Sequence, residues 1–213
     1  MKVLIIGANG KIGQKLAKKL KSSNHHPVAM VRKKGQVSQF ETMNIDTVVA
    51  DLESEFEHAY DGINAVVFTA GSGGHTGPDK THLVDRLGAK KAIDLAVKNN
   101  MDQFIMVSAL GADYSPEKWP ESMKHYYEAK ADADKHLMQT SLNYTILKPG
   151  KLTDEDGSNN ILIGDEIDQT NREIPRTDVA TVIEKSIGNA STYKKSLEVL
   201  TGNTPIDQAI NSL

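Results

Sequence analysis

The stretch "VLIIGANGKIGQKLAKKL" at 3–20 constrains the fold of this chain more than any other. An apolar run from Val3 to Ile6 is interrupted by Gly7, and an amphipathic helical pattern opens at Lys11, so a glycine-bearing turn joins a buried strand to a helix. Gly7, Gly10 and Gly13 recur at three-residue intervals across that join. Glycine at the first position permits a tight turn, at the second lets main chain approach a pyrophosphate, and at the third lets helix pack closely on strand. The helix N-terminus adds free N–H groups and the positive end of its dipole, which favour phosphate. The expected cofactor-binding set here is Gly7, Asn9, Gly10, Lys11, Ile12 and Gly13. The spacing is GxxGxxG rather than GxGxxG, and it gains its weight from standing between strand and helix.

Short apolar runs alternate with longer helical patterns over about the first 150 residues, as βαβ units building a parallel sheet require. The runs at 2–6, 27–31, 47–50, 65–69, 103–107 and 143–148 read as strands, and 11–21, 80–98 and 123–140 read as helices. After Pro149-Gly150 the pattern becomes irregular, with a helix expected at 178–190 and an apolar run at 197–200. The expected fold is α/β, a Rossmann-type doubly wound parallel sheet forming a single domain over 1–213. Residues 151–213 are expected to contribute a small substrate-side cap.

Composition narrows the chemistry. No cysteine is present, which removes disulfides, thiolate metal sites and a cysteine nucleophile and suits a reducing, cytoplasmic location. The seven histidines show no ligand spacing, so no metal is expected. A net charge of −3 with scattered Lys and Arg gives no reason to expect nucleic acid or a membrane surface as partner, and the apolar run at the N-terminus is too short for a signal peptide or a span. The partner expected is a small-molecule substrate, with the chain a monomer or homodimer.

At the end of the second strand stands "VRKKG". An acid in that position serves the ribose hydroxyls of NAD, whereas an arginine suits a 2′-phosphate. Arg32, with Lys33 beside it, therefore favours NADP over NAD.

Together, "GANGKIG" at 7–13, "ADL" at 50–52, "FTAGSGG" at 68–74, "VSALGA" at 107–112, "YYEAK" at 126–130, "YTILKPGKL" at 144–152 and "PRTDVA" at 175–180 resemble the short-chain dehydrogenase/reductase superfamily. The likeness is to its atypical NAD(P)-binding branch, related to epimerases and dehydratases, and spans nearly the whole chain. The resemblance implies that Asp51 and Leu52 lie near the adenine, that Ala70 and Gly71 lie along the cofactor, and that Pro149 and Gly150 pass near the nicotinamide. Lys148 stands where the family's motif carries arginine. The resemblance also implies that Lys130 binds the nicotinamide ribose and that a serine ending the fifth strand holds the substrate oxygen, a place Ser108 fits.

Tyr126 and Lys130 stand four residues apart and share one helical face, while Tyr127 is turned away by about 100°. A nearby ammonium stabilises phenolate, so Lys130 is expected to lower the Tyr126 pKa toward a range useful for proton transfer. Asp85 occupies the place of the family's helix asparagine, where a carboxylate would either hydrogen-bond main chain, pair with Lys130 or simply tether its helix. Its small neighbours Gly88 and Ala92 imply close approach of another backbone. Trp119 beside Pro120 reads either as a flap on the cleft or as a packing anchor. His75, in a loop over the cofactor, is a weaker candidate for a place near substrate.

Ser108, Tyr126, Lys130 and Asp85 form the expected catalytic group of an NADP-dependent oxidoreductase or epimerase-like enzyme. The expected substrate is a small carbonyl, quinone or flavin-like compound, because about sixty residues follow "KPG", which is little for a nucleotide-sugar domain. A non-catalytic NADP(H)-sensing protein fits the same cofactor signals.

Overall fold

The computed structural model describes residues 1–73, 76–168 and 172–213. The first half builds β1 (Lys2–Ile6), α1 (Lys11–Lys21), β2 (His26–Val31), a short α2 (Ser38–Glu41), β3 (Asp46–Val49) and β4 (Ala65–Phe68). A helix then runs through α3 (Pro78–Lys80), a π-helical stretch over Thr81–Gly88, and α4 (Ala89–Lys98). Next come β5 (Gln103–Val107), α5 (Lys124–Met138), β6 (Asn143–Pro149), β7 (Lys151–Thr153), β8 (Asn160–Gly164) and β9 (Glu173–Pro175). The chain closes with α6 (Arg176–Ser186), β10 (Lys195–Thr201), β11 (Thr204–Pro205) and α7 (Ile206–Asn211).

Nine of these strands form one sheet in the order β11-β8-β10-β6-β5-β4-β1-β2-β3, parallel from β3 through β10. The order reverses between β1 and β4, which is where a doubly wound sheet opens a crevice at its carboxyl edge. Successive side chains of a strand face opposite sides of the sheet. Thus Val3 and Ile5 join a core covered by α1 and α6, while Leu4 and Ile6 join a second core with Ile93, Phe104 and Leu137. Full burial of each such side chain stabilises the fold by about 2 kcal/mol.

Residues 151–213 divide between two tasks. β10 pairs parallel with β6, setting Glu198 opposite Lys148, and β8 and β11 extend the sheet antiparallel beyond it. Among the described residues, β7 and β9 alone stand apart, as a parallel two-stranded ribbon that follows directly on β6. The helix expected over 80–98 starts earlier, because Pro78 occupies its first turn, where a missing N–H costs nothing. No helix among the described residues is long and apolar enough to cross a membrane.

Candidate active site

A cleft of ≈ 440 Å³ opens at the carboxyl ends of β1, β2, β3 and β4. Gly7 turns there with φ +88°, and a Cβ on it would lie 2.5 Å from the Ala70 nitrogen, so strand end and β4 end touch main chain to main chain. A Cβ on Gly13 would lie 2.4 Å from the Gly7 oxygen, which is the close helix-to-strand packing expected of that position. Gly10 differs, since its missing side chain would meet only the Gly7 oxygen, at 3.2 Å. Its outer face stays clear for a ligand. The helix begins with Gln14 N–H donating to the Gly10 carbonyl at 2.9 Å, which leaves the N–H groups of Lys11, Ile12 and Gly13 ahead of that bond. Neither a side-chain cap nor an acid in the first turn competes with a phosphate for them.

Asn9, Arg32, Asp51, Leu52, Ala70 and Gly71 line the same cleft. Gln36 shapes the β2 end through Oε1, which accepts from the Arg32 and Lys33 main-chain N–H groups at 3.1 and 3.0 Å. Arg32 enters no ion pair among the described residues. Asp51 Oδ1 accepts from Glu53 N–H at 3.0 Å, fixing the turn after β3. Of the expected set, Lys11, Ile12, Gly13, Lys33, Lys130, Pro149 and Gly150 do not line this cleft. Lys11 pairs with Asp154, the Ile12 side chain is buried in the core, and Lys33 is exposed outside the cleft. The glycine cradle, open helix end and unpaired guanidinium fit a dinucleotide.

A second cleft, ≈ 490 Å³, opens at the ends of β5 and β6 and includes Ser108, Tyr126, Tyr127, Pro149 and Gly150. Trp119 and Tyr127 stack with ring centres 5.8 Å apart, and the indole N–H donates to the Gly111 carbonyl at 2.8 Å. Trp119 is therefore both cleft wall and packing anchor. Tyr127, which helical angle alone turns away, lines the cleft with Tyr126: near the start of α5 its long side chain swings over to Trp119. The expected residue His75 lies outside the described residues.

Beneath this cleft lies a layer of buried polar groups. Ser108 is 4 % exposed, and its hydroxyl donates to Asp134 Oδ2 at 2.5 Å. Lys130, 3 % exposed, donates to the Val107 carbonyl at 2.8 Å and lines neither cleft. The expectation that Lys130 lowers the Tyr126 pKa is corrected here. Burial, with Asp85, Tyr127 and Asp134 close by, pushes the Tyr126 phenol up instead, so Tyr126 holds its proton. Lys148, on β6, is buried and paired with Asp113 at 2.6 Å.

Asp85 is 1 % exposed in the π-helical stretch, and its Oδ2 accepts from Ser72 N–H at 2.9 Å. Its Oδ1 has no partner among the described residues and would lie 3.3 Å from a Cβ on Gly71. Of the alternatives open for Asp85, the main-chain hydrogen bond is the one formed, and no ion pair with Lys130 accompanies it. A Cβ on Gly88 would meet the Leu52 side chain and the Leu83 carbonyl of its own helix, each at 3.1 Å. Asp134, Gln36 and Ser72 were not anticipated. For Asp134 the signal was present, since Tyr126, Lys130 and Asp134 recur every four residues.

The strand order, the glycine turn and the cleft at the switch point define an NAD(P)-type Rossmann domain. Residues 7–190 match the model of the NAD(P)H-binding family. The chain belongs to that family. It is 42 % identical to a Bacillus subtilis protein named uncharacterized sugar epimerase YhfK, over the whole of both chains. A solved structure from Bacillus halodurans, described as a NAD-dependent epimerase/dehydratase, superposes with a TM-score of 0.96 at 44 % identity, again over both full chains. The oxidoreductase ylbE from Lactococcus lactis gives a TM-score of 0.87 at 33 % identity, covering 100 % of this chain and 96 % of that one. These relatives bear out the NAD(P)-binding, epimerase/dehydratase-related likeness read from the sequence.

Proposed function

We propose that this protein is an NADP(H)-dependent oxidoreductase acting on a small carbonyl, quinone or flavin-like compound. The observation that carries the reading is adjacency. The Ser108 and Tyr126 cleft opens at the end of β5, the strand that pairs with β4, whose own end lines the dinucleotide cleft. The Gly7 to Gly13 turn would hold the pyrophosphate, and Arg32, unpaired at the β2 end, would hold a 2′-phosphate in the two-point manner of a guanidinium. When bound, a reduced nicotinamide supplies hydride to the substrate carbon.

Ser108 and Tyr126 would orient the substrate oxygen and donate to it. A phenol that keeps its proton serves as donor rather than base. The direction this supports is reduction. Trp119 and Tyr127, stacked at one side, offer flat apolar surface to a planar substrate. The short β7 and β9 ribbon leaves little protein to enclose a nucleotide sugar.

One observation favours a second reading, an NADP(H)-binding sensor without turnover: Lys130 is turned into the protein and does not face the cleft. Titration of the purified protein with NADPH and NADH, followed by a panel of quinones, flavins and carbonyls, separates the two. Oxidation of NADPH by any panel member supports the oxidoreductase. Tight NADPH binding with no oxidation supports the sensor, and equal affinity for NADH and NADPH sinks the assignment of Arg32.

A further inference from the structure

The oxidoreductase reading leaves unused a buried acid that touches Ser108. Asp134 is 6 % exposed, its Oδ2 meets the Ser108 hydroxyl at 2.5 Å, and its Oδ1 has no partner among the described residues. A carboxylate charged on both oxygens and satisfied on one is costly in a dry site, and taking up a proton relieves that cost. Ser108 is the one link in this pair that also lines the substrate cleft. We propose that Asp134 stores the proton that Ser108 hands to the substrate oxygen, a role that rests on the oxidoreductase reading above.

The hydroxyl direction makes the pair a device. While Asp134 is ionised, Ser108 O–H donates to it and turns only a lone pair to the cleft. Once Asp134 is protonated, its O–H donates to Ser108 Oγ, and the serine hydrogen is free to point at the substrate. For a carbonyl acceptor, hydride from a bound reduced nicotinamide would bring the electron pair to the carbonyl carbon and the C=O π pair would move to oxygen. That oxygen forms a bond to the serine hydrogen as the Ser108 O–H bond breaks, and Ser108 Oγ takes the Asp134 proton. The products are an alcohol, an intact serine and an Asp134 carboxylate, which solvent reprotonates after release.

Charged groups face Asp134 from each side. Lys130 on its own helix and Lys148 on β6 favour the carboxylate, as does the Ser108 hydrogen bond, while Asp113, in the segment after β5, opposes it. Burial outweighs them and pushes the Asp134 carboxyl up to about 6. Tyr126, held protonated partly by Asp134 itself, does not compete for the charge.

The test reads the carboxyl directly. Full-length protein carrying ¹³C-labelled aspartate, with no acceptor present, is titrated by NMR. Expected is one carboxyl resonance titrating near 6, absent in Asp134→Asn and moved to higher pH in Ser108→Ala, which loses the hydrogen bond favouring the charged form. The Ser108→Ala shift assigns the resonance even where Asp134→Asn does not fold. An Asp134 resonance titrating at its ordinary 3.8 overturns the proposal. With NADPH and menadione, the wild-type rate is expected to fall about tenfold per pH unit above the inflection. Asp134→Asn is expected to lose that inflection, and a variant keeping both rate and inflection also overturns the proposal. If no panel member oxidises NADPH, the oxidoreductase reading fails on that result, while the titration alone still decides whether Asp134 stores a proton.

Discussion

The cleft at the ends of β1 to β4 is lined by Gly7, Gly10, Ala70 and Gly71 together with aliphatic side chains and Arg32, whereas the cleft at the ends of β5 and β6 is lined by the rings of Trp119, Tyr126 and Tyr127 close to buried charged side chains. In the first, chemistry comes from what is missing among the described residues: no Cβ at Gly7 or Gly13, no side-chain cap on α1, no ion pair on Arg32. In the second it comes from groups forced out of water, where burial pushes the Asp134 carboxyl up against the opposing pull of the Ser108 hydrogen bond, Lys130 and Lys148. The first is a binding surface that needs shape. On the proposed reading the second handles protons and needs a low dielectric, so single substitutions are expected to act on different observables in the two regions.

The largest effect falls on the second cleft. Ser108→Ala and Tyr126→Phe are each expected to lower turnover of NADPH with a genuine acceptor by about 10²- to 10⁴-fold, with NADPH affinity unchanged. Stopped-flow rates set against binding titrations check the split, and unchanged turnover in either variant removes that hydroxyl from the reaction.

Next comes the pH dependence of stability. The folded Asp134 carboxyl keeps its proton to about pH 6, whereas the unfolded one loses it near 3.8, so the native state binds the extra proton between those values. Stability therefore falls as pH rises from about 4 to about 6, by up to about 3 kcal/mol, and this contribution levels off above that window. Denaturant unfolding of Asp134→Asn, compared with wild type, should lack that fall. A parallel pH profile in the two proteins would contradict the assigned shift.

In the first cleft the two glycines should part company. Gly13→Ala pushes a methyl into the Gly7 carbonyl and is expected to cost about 1–3 kcal/mol of stability. Gly10→Ala crowds only the Gly7 oxygen, at 3.2 Å against 2.4 Å for Gly13, and should chiefly weaken NADPH binding, which thermal melts with and without NADPH would separate. The smallest effect is expected from Arg32→Asp, a loss of NADPH over NADH preference of about tenfold with stability unchanged. Retained preference in competitive titration would break the link between Arg32 and the 2′-phosphate.

The contrast also explains what the chain made legible. The glycine turn, the strands at 2–6 and 103–107 and the helix at 11–21 follow from local spacing, and the strand order completes them. Ser108 was readable as a strand-end residue and Tyr126 as a helix-face residue. The partners that decide their chemistry were harder to read. Lys130 shares a face with Tyr126, yet a carbonyl from β5 captures its ammonium. Tyr127 leaves its helical direction because Trp119, from a preceding loop, offers it a ring to stack on. The end of "KPG" likewise reads as the start of a cap, although β10 returns beside β6 and carries much of the tail into the sheet. Such contacts join residues distant in sequence, which spacing does not encode.

On the proposed reading the two clefts work as one site, with cofactor in one and acceptor in the other. Rapid mixing of NADPH-loaded protein with a quinone, a flavin or a small carbonyl, followed at the reduced-nicotinamide absorbance band, tests it most directly. Loss of that band is expected with at least one acceptor, slowed at least about a hundredfold in Ser108→Ala. Tight NADPH binding with the band unchanged across the whole panel would contradict it.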